Sequence, residues 1–435
     1  MVTHSLARVF GEAYLKVEVD EEGRPVVGLA SHGYRGFELW CRGAHGEFLP
    51  DLLSRRCGVD SVYHRMGACI ALERALGVEI PEGAKKAREL LLACQLFRRH
   101  SLTMTLHVLP DLLFPASDPG LRNLVGLFRV DRDVVGRMMA LNAWGESALR
   151  RIAGRAVHPV LPVPGGLTAY PEEEALIGLR NSLPEVMGLA RETSRLVRML
   201  LRRNEDLVGE LGKTPATPLA AATPPFGESW GGIRMAGERG GVGEVQEEDL
   251  LERVEMVSWR DSLLEVCRLP GQESGVLTGP LSRVNLTGSY GSELADTELE
   301  ELRKTWGFPL RGMLLSHALR LAEMIMALER IDQLLAEAAS WSGGETRRVI
   351  PPGIGAAWAA LEGAEGLHLY RVEVEGGHIS EVGYLSPLHW NLPGLLEVVQ
   401  EEAQRAVGDV SEARQLGRLG VAIRCYAPCF FCASG

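Results

Sequence analysis

The sequence predicts a mainly α protein with small peripheral β-sheets, an α+β arrangement built on a long-helix bundle. Apolar residues recur at three- and four-residue spacing through several long stretches, whereas strict apolar/polar alternation is confined to short stretches near the two ends. At 435 residues and 46% hydrophobic content, the chain can bury a large core.

Near the start, Leu15, Val17 and Val19 alternate with Lys16 and Glu18 before Asp20-Glu21-Glu22-Gly23-Arg24-Pro25 and Val26-Val27, which predicts a β-hairpin. Helical periodicity then runs through residues 64–77, 84–106, 130–152, 172–203 and 298–338. In the last of these, Leu314, Leu321, Ile325, Leu328, Ile331 and Leu335 form one stripe, and packing is the plain explanation of all five. Between about 213 and 247, Pro215, Pro218, Pro224-Pro225, Gly231-Gly232 and Gly240-Gly241 interrupt every period, so this segment is expected to be a loop or insertion edge. A second hairpin is expected where Tyr370, Val372 and Val374 alternate with Arg371, Glu373 and Glu375, turning at Gly376-Gly377 and returning through Ile379, Val382 and Tyr384.

A net charge of −11 and a pI near 5.6 argue against a nucleic-acid partner. The N-terminus carries no apolar run of signal-peptide length and no segment has eighteen uninterrupted apolar residues, so the expected location is cytoplasmic without membrane insertion. Eight cysteines are too few for a disulfide scaffold in a chain of this size. Cys41, Cys69, Cys94 and Cys267 are scattered and read as buried apolar side chains, with Cys425 less clear beside the terminal pair. Cys429 and Cys432 stand three positions apart, and a damaged version of the same spacing, Cys57 with Asp60, lies near the other end. Two soft ligands three apart can clamp one metal, and a distant second pair would complete a four-ligand cage. Taken alone, the Cys429–Cys432 pair equally suits zinc, a redox dithiol or an unliganded turn. The chain is thus read as one unit over 1–435: a hairpin and first half-site in 1–63, a helical bundle in 64–350, and a hairpin with the second half-site in 351–435.

Blocks along nearly the whole chain resemble the large subunit of nickel-iron hydrogenases. Gly36-Phe37-Glu38 precedes Arg56-Cys57-Gly58, which leads through His64-Arg65 into Leu72-Glu73-Arg74-Ala75-Leu76-Gly77-Val78. Ile152-Ala153-Gly154-Arg155-Ala156-Val157-His158-Pro159 with Pro164-Gly165-Gly166, and Gly279-Pro280-Leu281-Ser282-Arg283-Val284-Asn285-Leu286, are similar to blocks of the soluble, cofactor-linked branch. Trp390-Asn391 and Pro428-Cys429-Phe430-Phe431-Cys432 complete the order. The resemblance implies a long-helix bundle with peripheral sheets, a nickel-iron centre between the two ends, and a partnering iron-sulfur small subunit.

Carried over residue by residue, the resemblance makes Cys57 and Cys429 terminal nickel ligands, Cys432 a bridge to iron, and Asp60 the occupant of the second bridging place. A carboxylate is harder than a thiolate and would change metal affinity and potential. His64 is expected to orient a ligand by hydrogen bonding. Further departures surround the site. Phe10 stands where the family has a proton-transferring glutamate, with Glu12 nearby but pointing elsewhere; Glu365 stands where it has an arginine over the open metal position, reversing the local charge; and Leu388 replaces a hydroxyl that supports a cyanide. Glu365 and His64 are the candidate catalytic groups. Gly435 takes the place of a terminal histidine that ligates magnesium, which counts against magnesium although Glu38, the other candidate ligand, is retained. The chain also ends without the extension that catalytic large subunits lose to a protease, so it either needs no such protease or never receives the complete centre. These readings predict a degenerate-site homologue, the metal-bearing subunit of a cytoplasmic redox complex in which standard hydrogen turnover is not expected. Two alternatives follow from the same residues: a scaffold acting with hydrogenase maturation proteins to assemble the iron-cyanide-carbonyl fragment, with iron only, or a metal-free structural subunit.

Overall fold

Apolar spacing of three and four along residues 61–336 folds, as its period requires, into long helices that bury one another's apolar stripes. The computed structural model describes residues 2–32, 36–115, 117–211, 217–221, 233–236, 241–258, 262–272, 275–405 and 412–433. The principal helices are α1 (Ser61–Ala75), α2 (Glu82–Thr103), α3 (Arg132–Ala153), α4 (Glu173–Arg203), α5 (Glu293–Trp306), α6 (Ser316–Ala336), α7 (Pro387–Arg405), α8 (Glu412–Cys425) and the single turn α9 (Phe430–Ala433). Helix α6 is the bundle axis, packing against α2, α4 and α5, while α3 closes the ring between α2 and α4. Its residues from Ser316 to Leu328 are all buried, including His317, Arg320 and Glu323, so it is a core helix that carries charge.

Two expectations about helices change. The stretch 298–338 is two helices, because Gly307 with φ 76° ends α5 and Pro309 cannot donate to a continuing helix. The stretch 84–106 is α2 followed by a π-helical turn, Met104–Val108, whose wider winding is characteristic of functional positions.

Both hairpins form, each with a third strand that alternation did not reveal. β1 (Val2–Ser5), β2 (Tyr14–Val19) and β3 (Pro25–Ala30) make one antiparallel sheet. The Pro/Gly-rich segment is more than a loop: β4 (Thr217–Ala221), β5 (Ile233–Ala236) and β6 (Val242–Val245) lie in it, the rest of 213–247 falling partly outside the described residues. They are followed by a hairpin of β7 (Glu255–Ser258) and β8 (Glu265–Arg268), and by β9 (Val276–Leu277), which pairs in parallel with β4. The C-terminal sheet is β10 (Gly355–Gly363), β11 (Gly366–Glu375) and β12 (His378–Leu385), with Ala359 opposite Tyr370 and Tyr370 opposite Tyr384.

This last sheet covers α1, and the contact depends on Gly67, where a Cβ would meet the Tyr370 ring at 2.2 Å. At the opposite side the N-terminal segment crosses the C-terminal turn. Phe10 bridges Cys429 in parallel, and the Phe430 N–H donates to the Phe10 carbonyl at 2.8 Å. Gly11, with φ 91°, permits the crossing, because a Cβ there would lie 2.8 Å from the Phe431 nitrogen. One continuous apolar core runs from Phe10 to Ala433.

Candidate metal centre

Cys57, Asp60, Cys429 and Cys432 converge at the junction of α1 and α9, all four buried, with their ligand atoms within 4.8 Å of one another. Cys429 Sγ lies 3.6 Å from both Cys57 Sγ and Cys432 Sγ. A tetrahedral ion with metal–sulfur bonds of about 2.3 Å separates its sulfurs by about 3.8 Å. The cage therefore fits a thiolate-bound metal in both donor chemistry and spacing. Asp60 is the residue before α1, and the Asp60 N–H points at Cys57 Sγ, 3.4 Å away, so the first half-site is wound around the helix start. The second half-site begins where α8 ends: Ala427 has the left-handed φ of 44°, and Pro428 follows. A non-glycine residue there costs roughly 1–2 kcal/mol and occurs where surrounding contacts enforce it.

Hydrogen bonding from Cys429 and then Cys432, against the opposing effect of burial, holds the Cys57 thiol well below its ordinary pKa, making it the first of the three to ionise. Cys429 and Cys432 move up in consequence, Cys429 chiefly because its own proton is shared with its neighbours. His64 Nε2 lies 3.4 Å from Cys432 Sγ and its Nδ1 3.3 Å from the Tyr370 hydroxyl. With Tyr370 donating to Nδ1, the Nε2–H faces the sulfur and fixes the ring's tautomer. The other cysteines stand apart. Burial raises Cys41, Cys69 and Cys425 to about 12, and Cys94 and Cys267 upward as well, leaving them inert thiols.

Glu365 sits in the two-residue turn between β10 and β11, at the edge of the same recess as Asp60, Cys429 and Cys432. The expected reversal of local charge does not survive the structure. Arg320 Nη2 donates to Glu365 Oε2 at 2.7 Å, and Arg99 Nη1 lies 3.8 Å from Oε1. Burial pushes the Glu365 carboxyl up, but Arg320, Arg99 and His100 more than offset it and hold the pKa down to about 2. Arg99 also donates from Nε to Asp60 Oδ1 at 3.1 Å, from Nη1 to Thr103 Oγ1 at 2.6 Å, and from Nη2 to the Ala427 carbonyl at 3.3 Å. Two carboxylates and two guanidiniums thus balance. Asp60, by contrast, is raised, because burial outweighs Arg99.

Phe10 stands against this network, its ring 4.1 Å from the Arg99 guanidinium carbon and 4.2 Å from the His107 ring. Glu12 is exposed and accepts the Tyr14 hydroxyl, away from the thiols. Leu388 lines the recess. Glu38 is not among the clustered ligands: it is ion-paired with Arg56, whose own cation reaches the Cys432 carbonyl at 3.4 Å and lies 4.8 Å above the Tyr384 ring. A magnesium ion at Glu38 would have to displace that guanidinium, so the residues present do not fit one; Gly435 lies outside the described residues.

Arg99, Arg320 and His100 were missed by motif reasoning. One signal for Arg99 was present: it continues the stripe Leu92, Leu96, Arg99, Thr103, all buried, and an arginine in an apolar stripe requires a buried acid. The acids themselves, 39 and 262 or more positions away in sequence, carried no such signal.

Residues 35–109 match the family model described as nickel-dependent hydrogenase. The chain is 26% identical over 412 residues to the vhu F420-non-reducing hydrogenase of Methanocaldococcus jannaschii, covering 93% of this chain and 98% of that protein. It is 26% identical to NAD-reducing hydrogenase HoxS subunit beta of Cupriavidus necator, covering 100% of this chain and 94% of the other. Among solved structures, an NAD+-reducing NiFe hydrogenase in its H2-reduced state superposes with a TM-score of 0.91 at 23% identity, covering 100% and 99% of the two chains. A NiFeSe hydrogenase of Dm. baculatum superposes with a TM-score of 0.78 at 18% identity, over 100% of both chains. The structural likeness establishes the fold from end to end. Together with the sequence relatives and the convergence of both cysteine segments, it places this chain in the nickel-iron hydrogenase large-subunit family.

Proposed function

We propose that this chain is the metal-bearing large subunit of a cytoplasmic redox complex, partnered by an iron-sulfur small subunit, with an altered nickel-iron centre that does not turn over hydrogen in the family's usual way. The observation that carries the reading is the buried cage of three thiols and one carboxylate, closed to within 4.8 Å from segments at opposite ends of the sequence. A bound nickel-iron centre would supply one- and two-electron chemistry at the recess. Cys57, Cys429 and Cys432 would hold it, Asp60 would supply oxygen in place of a fourth sulfur, and His64 would keep Cys432 oriented through its Nε2–H. Phe10 offers the neighbouring thiols no group that accepts a proton, and the Glu365 carboxylate, held at about 2, is a poor base at neutral pH. Asp60, whose pKa is raised, is the better-placed proton acceptor.

The test is elemental analysis of protein purified without oxygen, with infrared spectra covering the carbonyl and cyanide region. Nickel and iron together, with those bands, support the proposal. Iron with the bands but without nickel moves the chain to the cofactor-scaffold reading, and the absence of both metals to the structural-subunit reading.

A further inference from the structure

Three of the residues that depart from the family pattern, Phe10, Asp60 and Glu365, lie far apart in sequence and touch one side chain, Arg99. Arg99 is wholly buried, and its N–H groups are directed at Asp60, Thr103 and the Ala427 carbonyl, with Glu365 at 3.8 Å and the Phe10 ring stacked over the guanidinium at 4.1 Å. A buried guanidinium surrounded in this way cannot be added or removed singly, because each missing partner leaves a charge unpaired in the core. The departures therefore form one interlocking set.

We infer that Arg99 is a positioning residue that holds Asp60 as a terminal, single-oxygen ligand, so that the cage offers a metal three thiolates and one oxygen and no carboxylate bridge. The inference rests on the metal-centre reading above and specifies its coordination. Arg99 takes Asp60 Oδ1, leaving the other carboxylate oxygen for a metal, whereas a bridging carboxylate needs both oxygens or one shared between two ions. Cys432, with His64 on its sulfur, is then the single remaining group able to bridge from the positions that the family uses for that purpose. Thr103, one helical turn beyond Arg99 on α2, and the strained Ala427 carbonyl keep the guanidinium from following Asp60 toward the metal.

The experiment uses the full chain, prepared without oxygen and stripped of metal, titrated with Co2+ alone. Thiolate-to-cobalt charge-transfer absorption reports stoichiometry and affinity, and the carboxylate stretches in the infrared report whether Asp60 binds through one oxygen or bridges. One equivalent of Co2+ is expected, with the wide splitting of stretches that marks a terminal carboxylate. Asp60→Asn should remove that signature. Arg99→Lys, which keeps the charge but loses the planar fork, should weaken Co2+ binding about tenfold and shift the stretches. In the Asp60→Asn background Arg99→Lys should have no further effect on affinity. Thr103→Val, which touches no metal ligand, should move the stretches in the same direction by less, and it serves if Arg99→Lys does not fold. Two equivalents with a bridging signature, or an effect of Arg99→Lys that is equally large without the carboxylate, would overturn the inference while leaving the metal-centre reading standing. No Co2+ binding by the unaltered chain would overturn both.

Discussion

The two halves of the cage are held by different forces. Cys57 and Asp60 sit at the start of a buried helix, and Asp60 is fixed by charge through Arg99, which is balanced in turn by Glu365 and Arg320. Cys429 and Cys432 sit on a short turn fixed by its backbone: Phe430 N–H to the Phe10 carbonyl, the Arg56 guanidinium to the Cys432 carbonyl, and His389 to the Ala433 carbonyl. The first half should fail when charge balance is broken, the second when a backbone crossing is disturbed. This separates two meanings of a degenerate site: the carboxylates that replaced family residues are neutralised and buried with partners, as a maintained structure requires.

The largest expected effect is on the charged half. Arg320→Met leaves Glu365 buried beside a single distant guanidinium, and a loss of about 3–5 kcal/mol is expected in chemical denaturation. The double variant Arg320→Met with Glu365→Gln should recover much of it, and no recovery would show that the charge balance does not hold this half. Next is Gly11→Val, which forces a side chain against the Phe431 backbone at a left-handed φ; a loss of about 2–3 kcal/mol is expected, with Co2+ affinity falling in parallel. An unchanged affinity would show that the crossing does not set the second half.

Acid should separate the halves by pH. Glu365 has a folded pKa depressed to about 2, so its contribution is full above its ordinary value of 4.5 and is lost as pH falls from there toward 2, about 3 kcal/mol in all. His389, beside the second half, is kept neutral by burial with a folded pKa of about 3 against an ordinary 6.5, so folding begins to lose stability already below 6.5, by up to about 1.4 kcal/mol per pH unit. Hydrogen exchange around α9 should therefore rise at a higher pH than exchange at the start of α1, and simultaneous loss would merge the two halves into one unit.

Smaller still is Arg56→Gln, expected to cost about 1–3 kcal/mol because Glu38 loses its cation. Unaltered protein should melt at the same temperature with magnesium or with chelator. A chelator-induced fall would return Glu38 to the role of a metal ligand.

Much of this site was legible as spacing. Three-residue intervals placed Cys57 with Asp60 and Cys429 with Cys432, and helical and alternating periods located the bundle and two of the sheets' hairpins. What escaped has a common physical cause. β10 is Gly355-Ala356-Ala357-Trp358-Ala359-Ala360-Leu361-Glu362-Gly363, and its last five residues are buried on both faces, so no alternation marks it. The break at Gly307 and Pro309 was visible but was overridden by the apolar stripe running through it. The neutralisation of Glu365 depends on Arg99 and Arg320, which reach it from two different helices, and a local pattern holds no record of such encounters.

The crossing of Phe10 over Cys429 also governs when the cage can come into being. Cys57 and Cys429 are separated by 372 positions, and closing a chain loop of that length costs about 5 kcal/mol in entropy before any contact rewards it. Until the bundle has already brought the two ends together, the thiols are strangers in solution. A metal that requires all four ligands therefore reports the last act of folding, and one delivered earlier meets only a pair of sulfurs it can readily leave.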